Sequence, residues 1–142
     1  MAEALAKAGL RDRGWSDVSA SSAGVAAVPG LPVSPGAVRA LERRGLEPPS
    51  RGSRPLTPDE MERADLILTM SPGHLEVVRS LGGEGRSEVL TAFARGVEGT
   101  GEGLSGVMDP VGGDDDLYEE VCRQLEELVE AALLRLEPVI RP

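Results

Sequence analysis

Leu117, Val121, Leu125, Leu128, Ala132 and Leu136 recur three, four or a few places apart, the single apolar stripe of an amphipathic helix. Asp114, Asp115 and Asp116 lead into that stripe, and Pro138 is predicted to end it. Residues 65–70 read differently: Leu66, Ile67 and Leu68 are contiguous, which predicts a strand buried on both faces in a parallel sheet. Ser71 and Pro72 then supply a cap and a first-turn proline for a helix carrying Leu75, Val77, Val78 and Leu81. Upstream, Thr57-Pro58-Asp59-Glu60 predicts a capping box, with the Thr57 hydroxyl taking an amide and Glu60 reaching back, before a helix through Met61 and Ala64. Ser34 and Pro35 open another, through Val38, Ala40 and Leu41 to Gly45. Residues 17–22 and 87–90 are of strand length, and the Gly-rich stretches 23–35 and 95–106 read as loops. Residues 1–9 are strong helix formers stopped by Gly9, but they begin without a cap, which predicts that a segment is missing upstream.

Strands and helices alternate without a repeat or an internal linker, so the pattern predicts one α/β domain over residues 1–142, a parallel sheet covered by helices. Functional loops are then expected at the carboxyl ends of the strands, after Ser22, Met70 and Leu90.

Composition narrows the function. Hydrophobic residues are 40% and charged residues 27%, which excludes wholesale disorder. A net charge of -9 argues against nucleic-acid binding, which needs a basic face. No apolar stretch approaches the roughly 20 residues of a membrane span, and no charged-then-apolar leader opens the chain, so a cytoplasmic protein is expected. Only Trp15, Phe93 and Tyr118 are aromatic, so the core must come from Leu, Val and Ala.

The reactive residues mostly have plain readings. Cys122 lies in the middle of the last helix, with no histidine near in sequence and no helix N-terminus to lower its pKa, and reads as an inert thiol. His74, the only histidine, has no second His or Cys to share a metal and reads as an exposed helix residue, so no metal and no cofactor are expected. Asp114 to Asp116 lack the alternating spacing of a calcium loop and read as caps at the positive end of a helix. Asp109 is different: with Pro110 and Val111-Gly112-Gly113 it closes a long Gly-rich loop, where a carboxylate can face a site.

The succession Met1-Ala-Glu-Ala-Leu5, Val18-Ser-Ala-Ser-Ser-Ala-Gly24, Ser53-Arg-Pro-Leu-Thr57, Ala64-Asp-Leu-Ile-Leu-Thr-Met70 and Asp109-Pro-Val-Gly-Gly113 with Tyr118 resembles the low-molecular-weight protein-tyrosine phosphatase family. The resemblance spans nearly the whole chain, and Asp-Pro-x-Gly-Gly in place of an aromatic pair is similar to the bacterial branch that includes protein arginine phosphatases. It implies a three-layer, flavodoxin-like fold with helices on both faces of the sheet. It also implies hydrolysis of phosphotyrosine or phosphoarginine through a cysteinyl-phosphate intermediate, on a phosphorylated protein or small phosphoester. Asp109 would be the general acid and base, Pro110 its loop partner, and Ser22 a supporting residue near the phosphate loop.

The family's nucleophile loop, Cys-x5-Arg-Ser, is not found in the sequence. In the family it stands just before Pro-Met-Ala-Glu-Ala, so Met1 coincides with the methionine past the loop, and the first strand and phosphate ligands are expected upstream of residue 1. The 142 residues are therefore expected to be inactive alone, whether as a truncated phosphatase or as a non-catalytic phosphatase-like binding protein. Arsenate reduction on this fold would need further thiols to relay a disulfide, and Cys122 is the only one.

Overall fold

Gly9 does not end its helix. In the computed structural model, which describes residues 1–25, 27, 29–50, 52–96 and 106–140, α1 spans Ala2–Asp12, and Gly14 at φ 68° makes the exit. Gly9 sits inside because α1 crosses α6 there: a Cβ at this position would run into the Leu133 side chain. Close helix approach, not termination, is what this glycine provides.

The remaining elements follow in the order α2 (Pro35–Glu42), α3 (Pro58–Arg63), β1 (Ile67–Thr69), α4 (Pro72–Val78), a π-helical turn (Arg79–Gly83), β2 (Ser87–Val89), α5 (Leu90–Arg95) and α6 (Asp115–Ile140). The chain is thus an α/β protein with a parallel sheet and helices. Strands β1 and β2 pair in parallel with Ile67 opposite Ser87, Leu68 opposite Glu88 and Thr69 opposite Val89. Alternation of side chains sends Leu68 to one face, against the main core under α6, and Val89 to the other, where it meets Leu75 of α4 and Ala92. The main core gathers Ala4, Leu5 and Leu10 of α1, Ala40 and Leu41 of α2, Leu90 of α5, and Val121, Cys122, Leu125, Leu128, Val129, Ala132 and Leu133 of α6. The stripe read from the sequence is the face that α6 buries.

Several expectations are corrected. Residues 17–22 form no strand: Asp17 lies in a turn, residues 18–22 are irregular, and the nearest pairing is an isolated parallel bridge between Gly24 and Pro55. A strand is defined by its ladder, and among the described residues none forms along this segment. For the same reason Leu66, Ile67 and Leu68 are only half-buried, where burial on both faces was expected, because β1 is paired with β2 alone among the described residues. Leu90 opens α5 instead of ending the second strand. Ser34 stands at the N-cap of α2 without a side-chain capping bond. Pro138 does not end α6 at once: the helix continues two residues further, to Ile140. The expected loop 95–106 falls largely on residues 97–105, outside those described.

Candidate active site

Asp109 stands in a segment fixed at both ends. At its start, the Val107 amide donates to the Met70 carbonyl at 2.7 Å, at the carboxyl end of β1. Gly106 packs so closely on the Met70 carbonyl and Ser71 backbone that a Cβ has no room. At its far end, Asp114 Oδ1 accepts the Leu117 amide at 2.9 Å and caps α6. Between these, buried Pro110 accepts from the Gly113 amide at 2.8 Å, and Gly112 takes φ 83°, closing a turn. Asp109 is at its tip, exposed, with Oδ1 accepting the Val111 amide at 3.1 Å. This Asx turn orients an exposed carboxylate, an arrangement able to give and take a proton. Exposed Met108 and Val111 flank it.

Ser22 belongs to a second cluster. Its amide and hydroxyl both donate to Glu3 Oε1, at 2.8 and 3.1 Å, and its carbonyl accepts from Arg54 Nε at 3.0 Å. Arg54 in turn pairs with Glu60 at 2.5 Å. Glu60 is therefore drawn to Arg54 and away from its own helix N-terminus, so only the Thr57 half of the capping box forms, with Thr57 Oγ1 accepting the Glu60 amide. Burial pushes the Glu3 carboxyl up, but hydrogen bonds from Lys7 and Ser22 and the charge of Lys7 outweigh it, and the group is held below the usual carboxylate range. Asp109 with Pro110 and Ser22 with Glu3 and Arg54 thus occupy separate sets of contacts that share no residue.

Glu3, Lys7 and Arg54 were not singled out from the sequence. One signal was available for Glu3: it is the lone charge in Met1-Ala-Glu-Ala-Leu5, one turn before Lys7. Arg54 gave none, because its partners come from positions 32 residues upstream and six downstream.

Cys122 is fully buried in the main core, and burial above all raises its pKa, so it holds its proton. His74 is an exposed residue of α4 whose amide donates to the Ser71 hydroxyl. Among the described residues no three or more His, Cys, Asp or Glu side chains are placed to hold a metal ion, and no helix is long and apolar enough to cross a membrane.

A two-sided parallel sheet with an acid loop docked on the end of a strand defines a class of α/β protein whose chemistry lies at the carboxyl edge of the sheet. Residues 1–139 match the family model described as low molecular weight phosphotyrosine protein phosphatase, and the chain belongs to that family. It is 37% identical over 131 residues to the protein-arginine-phosphatase of Bacillus subtilis, covering 91% of this chain and 82% of that protein. The low molecular weight protein-tyrosine-phosphatase PtpB of Staphylococcus epidermidis is 32% identical over 112 residues, 79% of this chain and 75% of that one. Among solved structures, the arginine phosphatase YwlE, as a mutant with a phosphorylated active-site serine in place of cysteine, superposes with a TM-score of 0.84 at 34% identity. That match covers 96% of this chain and 86% of the other. The YwlE arginine phosphatase of Geobacillus stearothermophilus gives 0.80 at 27% identity, over 99% and 87%.

Proposed function

We propose that the chain carries the acid/base part of a cysteine-dependent protein phosphatase whose substrate is phosphoarginine. The reaction would proceed in two steps. A thiolate attacks phosphorus, and an S–P bond forms as the P–N bond breaks. Protonated Asp109 delivers its proton to the departing guanidine nitrogen. Water then attacks the cysteinyl phosphate while Asp109, now a carboxylate, takes a proton from it, which releases phosphate and regenerates both groups. Pro110 keeps the acid loop in its turn, and Ser22 ties its own segment to Glu3 and Arg54. Cys122, buried and with its pKa raised by that burial, is not suited to be that thiolate.

The observation that carries the choice of substrate is the surface beside Asp109. Met108 and Val111 are 61% and 76% exposed, and both are aliphatic in character. The three aromatic side chains are elsewhere: Trp15 and Tyr118 are buried, and Phe93 lies under the Arg135 guanidinium at 4.8 Å. No aromatic face flanks the acid to stack on a phenyl leaving group, whereas an alkyl guanidinium fits against thioether and valine. The two curated arginine phosphatases among the relatives agree with this choice.

The test is a chain with a strand and Cys-x5-Arg-Ser joined ahead of Met1, assayed on phosphoarginine and phosphotyrosine peptides. A higher kcat/KM on phosphoarginine is expected, and preference for phosphotyrosine would refute the substrate assignment. Asp109→Asn should cost about 10²–10⁴ in rate with poor leaving groups and far less with good ones. The 142 residues alone should show no turnover. The one thiol being buried also favours a second reading, a non-catalytic phosphatase-like binding protein, and an inactive extended chain would establish it.

A further inference from the structure

A cleft of about 450 Å³ opens between α1 and the extended segment that follows it, with Lys7, Leu10, Arg11, Trp15, Val18 and Ala20 in its lining. It lies along the later turns of α1 and shares no residue with the Asp109 loop. Its volume is within the roughly 300–1,000 Å³ of small-molecule sites.

The charge of the lining is opposite to that of the protein. The chain has a net charge of -9, yet the residues around this cleft include two cations and no carboxylate. Arg11 is exposed and enters none of the ion pairs among the described residues. The Lys7 ammonium donates to Glu3 at 3.2 Å and keeps two further N–H donors. Leu10, Trp15, Val18 and Ala20 make the rest of the wall apolar. A second cleft, beside Leu66 and Ser87, differs in carrying a carboxylate: Glu88 lines it together with Arg79 and Arg86, and the Arg86 guanidinium is already spent on the carbonyls of Glu62 and Ala64.

An apolar wall beside the Arg11 guanidinium, with the Lys7 ammonium shared with Glu3, selects a ligand with an apolar body and one anionic end. We propose that this cleft binds a small amphipathic carboxylate, its alkyl or aryl body against Leu10, Trp15 and Val18 and its carboxylate held by the Arg11 guanidinium and the Lys7 ammonium. The guanidinium offers a two-pronged hydrogen bond to such a group. This site is independent of the phosphatase reading.

Trp15 is the only tryptophan, so its fluorescence reports on the cleft directly. Octanoate, titrated into the 142-residue chain, should shift the Trp15 emission saturably with one site per chain. 1-Octanol, which has the same tail without the charge, should bind about tenfold or more weakly. Arg11→Gln, at an exposed helix position, should weaken octanoate about tenfold while leaving the far-ultraviolet circular dichroism unchanged. Equal affinity for octanol, no saturable change at Trp15, or undiminished octanoate binding by the folded Arg11→Gln variant would each overturn the proposal. The octanoate and octanol comparison on the unmodified chain decides the matter even if the variant fails to fold.

Discussion

Glu3 shows most clearly how one side chain can hold two segments together. Its carboxylate is 7% exposed and accepts from the Ser22 amide, the Ser22 hydroxyl and Lys7, tying the first turn of α1 to the end of the extended segment. Glu3→Gln should lower stability by about 1–3 kcal/mol, since a hydrogen-bonded buried charge is replaced by an amide that cannot satisfy the same donors. Because the folded group titrates below the usual carboxylate range, its contribution is complete above that range and is lost as pH falls through the lower folded value. Chemical denaturation between pH 6 and about pH 3 should therefore show a slope that the Glu3→Gln variant flattens. Gly36 offers a different single-residue test. A Cβ there would collide with the Tyr118 ring, a rigid group that is itself buried, so Gly36→Ala should destabilise by about 1–3 kcal/mol in thermal melts.

At the scale of elements, α6 is the strut on which α1, α2 and α5 are mounted. Its apolar stripe supplies the core, and its polar flank is laced to the other helices by Arg39 with Asp115, Arg43 and Arg44 with Glu119, Arg44 with Glu126, and Arg13 with Glu130. Hydrogen bonds from these arginines hold the Asp115, Glu119 and Glu130 carboxyls below their usual range. Exposed pairs of this kind are each weak and are screened by salt. Glu119→Gln, which breaks two of them, should lower Tm slightly in low-salt buffer, and the difference should vanish near ~1 M NaCl. A deficit that persists at high salt would show that Glu119 acts through packing.

Over the whole molecule, order is unevenly spread. Helix α6 and its partners enclose the main core, whereas residues 19–21 and 23 run extended without a backbone ladder and β1 has a partner on one side only. Amide hydrogen exchange should follow this division. Protection should approach the global unfolding free energy in α6 and α1 and be nearly absent at Ser19, Ala20 and Ser21. Strong protection of those three amides would mean that the segment has a strand partner in solution.

The local sequence decided the elements whose causes are local. The α6 stripe, the Ser71 cap and the Thr57 cap with its following proline each depend on residues within one or two turns, and each is formed. The turn that carries Asp109 was legible as well, because Pro110 and two following glycines favour one. What failed depended on distant partners. Residues 17–22 have the composition of a strand but form no ladder among the described residues, Gly9 has the look of a stop but lies where α1 meets Leu133, and Glu60 leaves its own helix for Arg54. The Glu3, Ser22 and Arg54 cluster and the cationic cleft beside Trp15 are likewise products of tertiary structure. Periodicity and capping are written in short-range spacing, whereas strand ladders, helix crossings and charge pairs between remote residues exist only once the chain has folded and brought their members together.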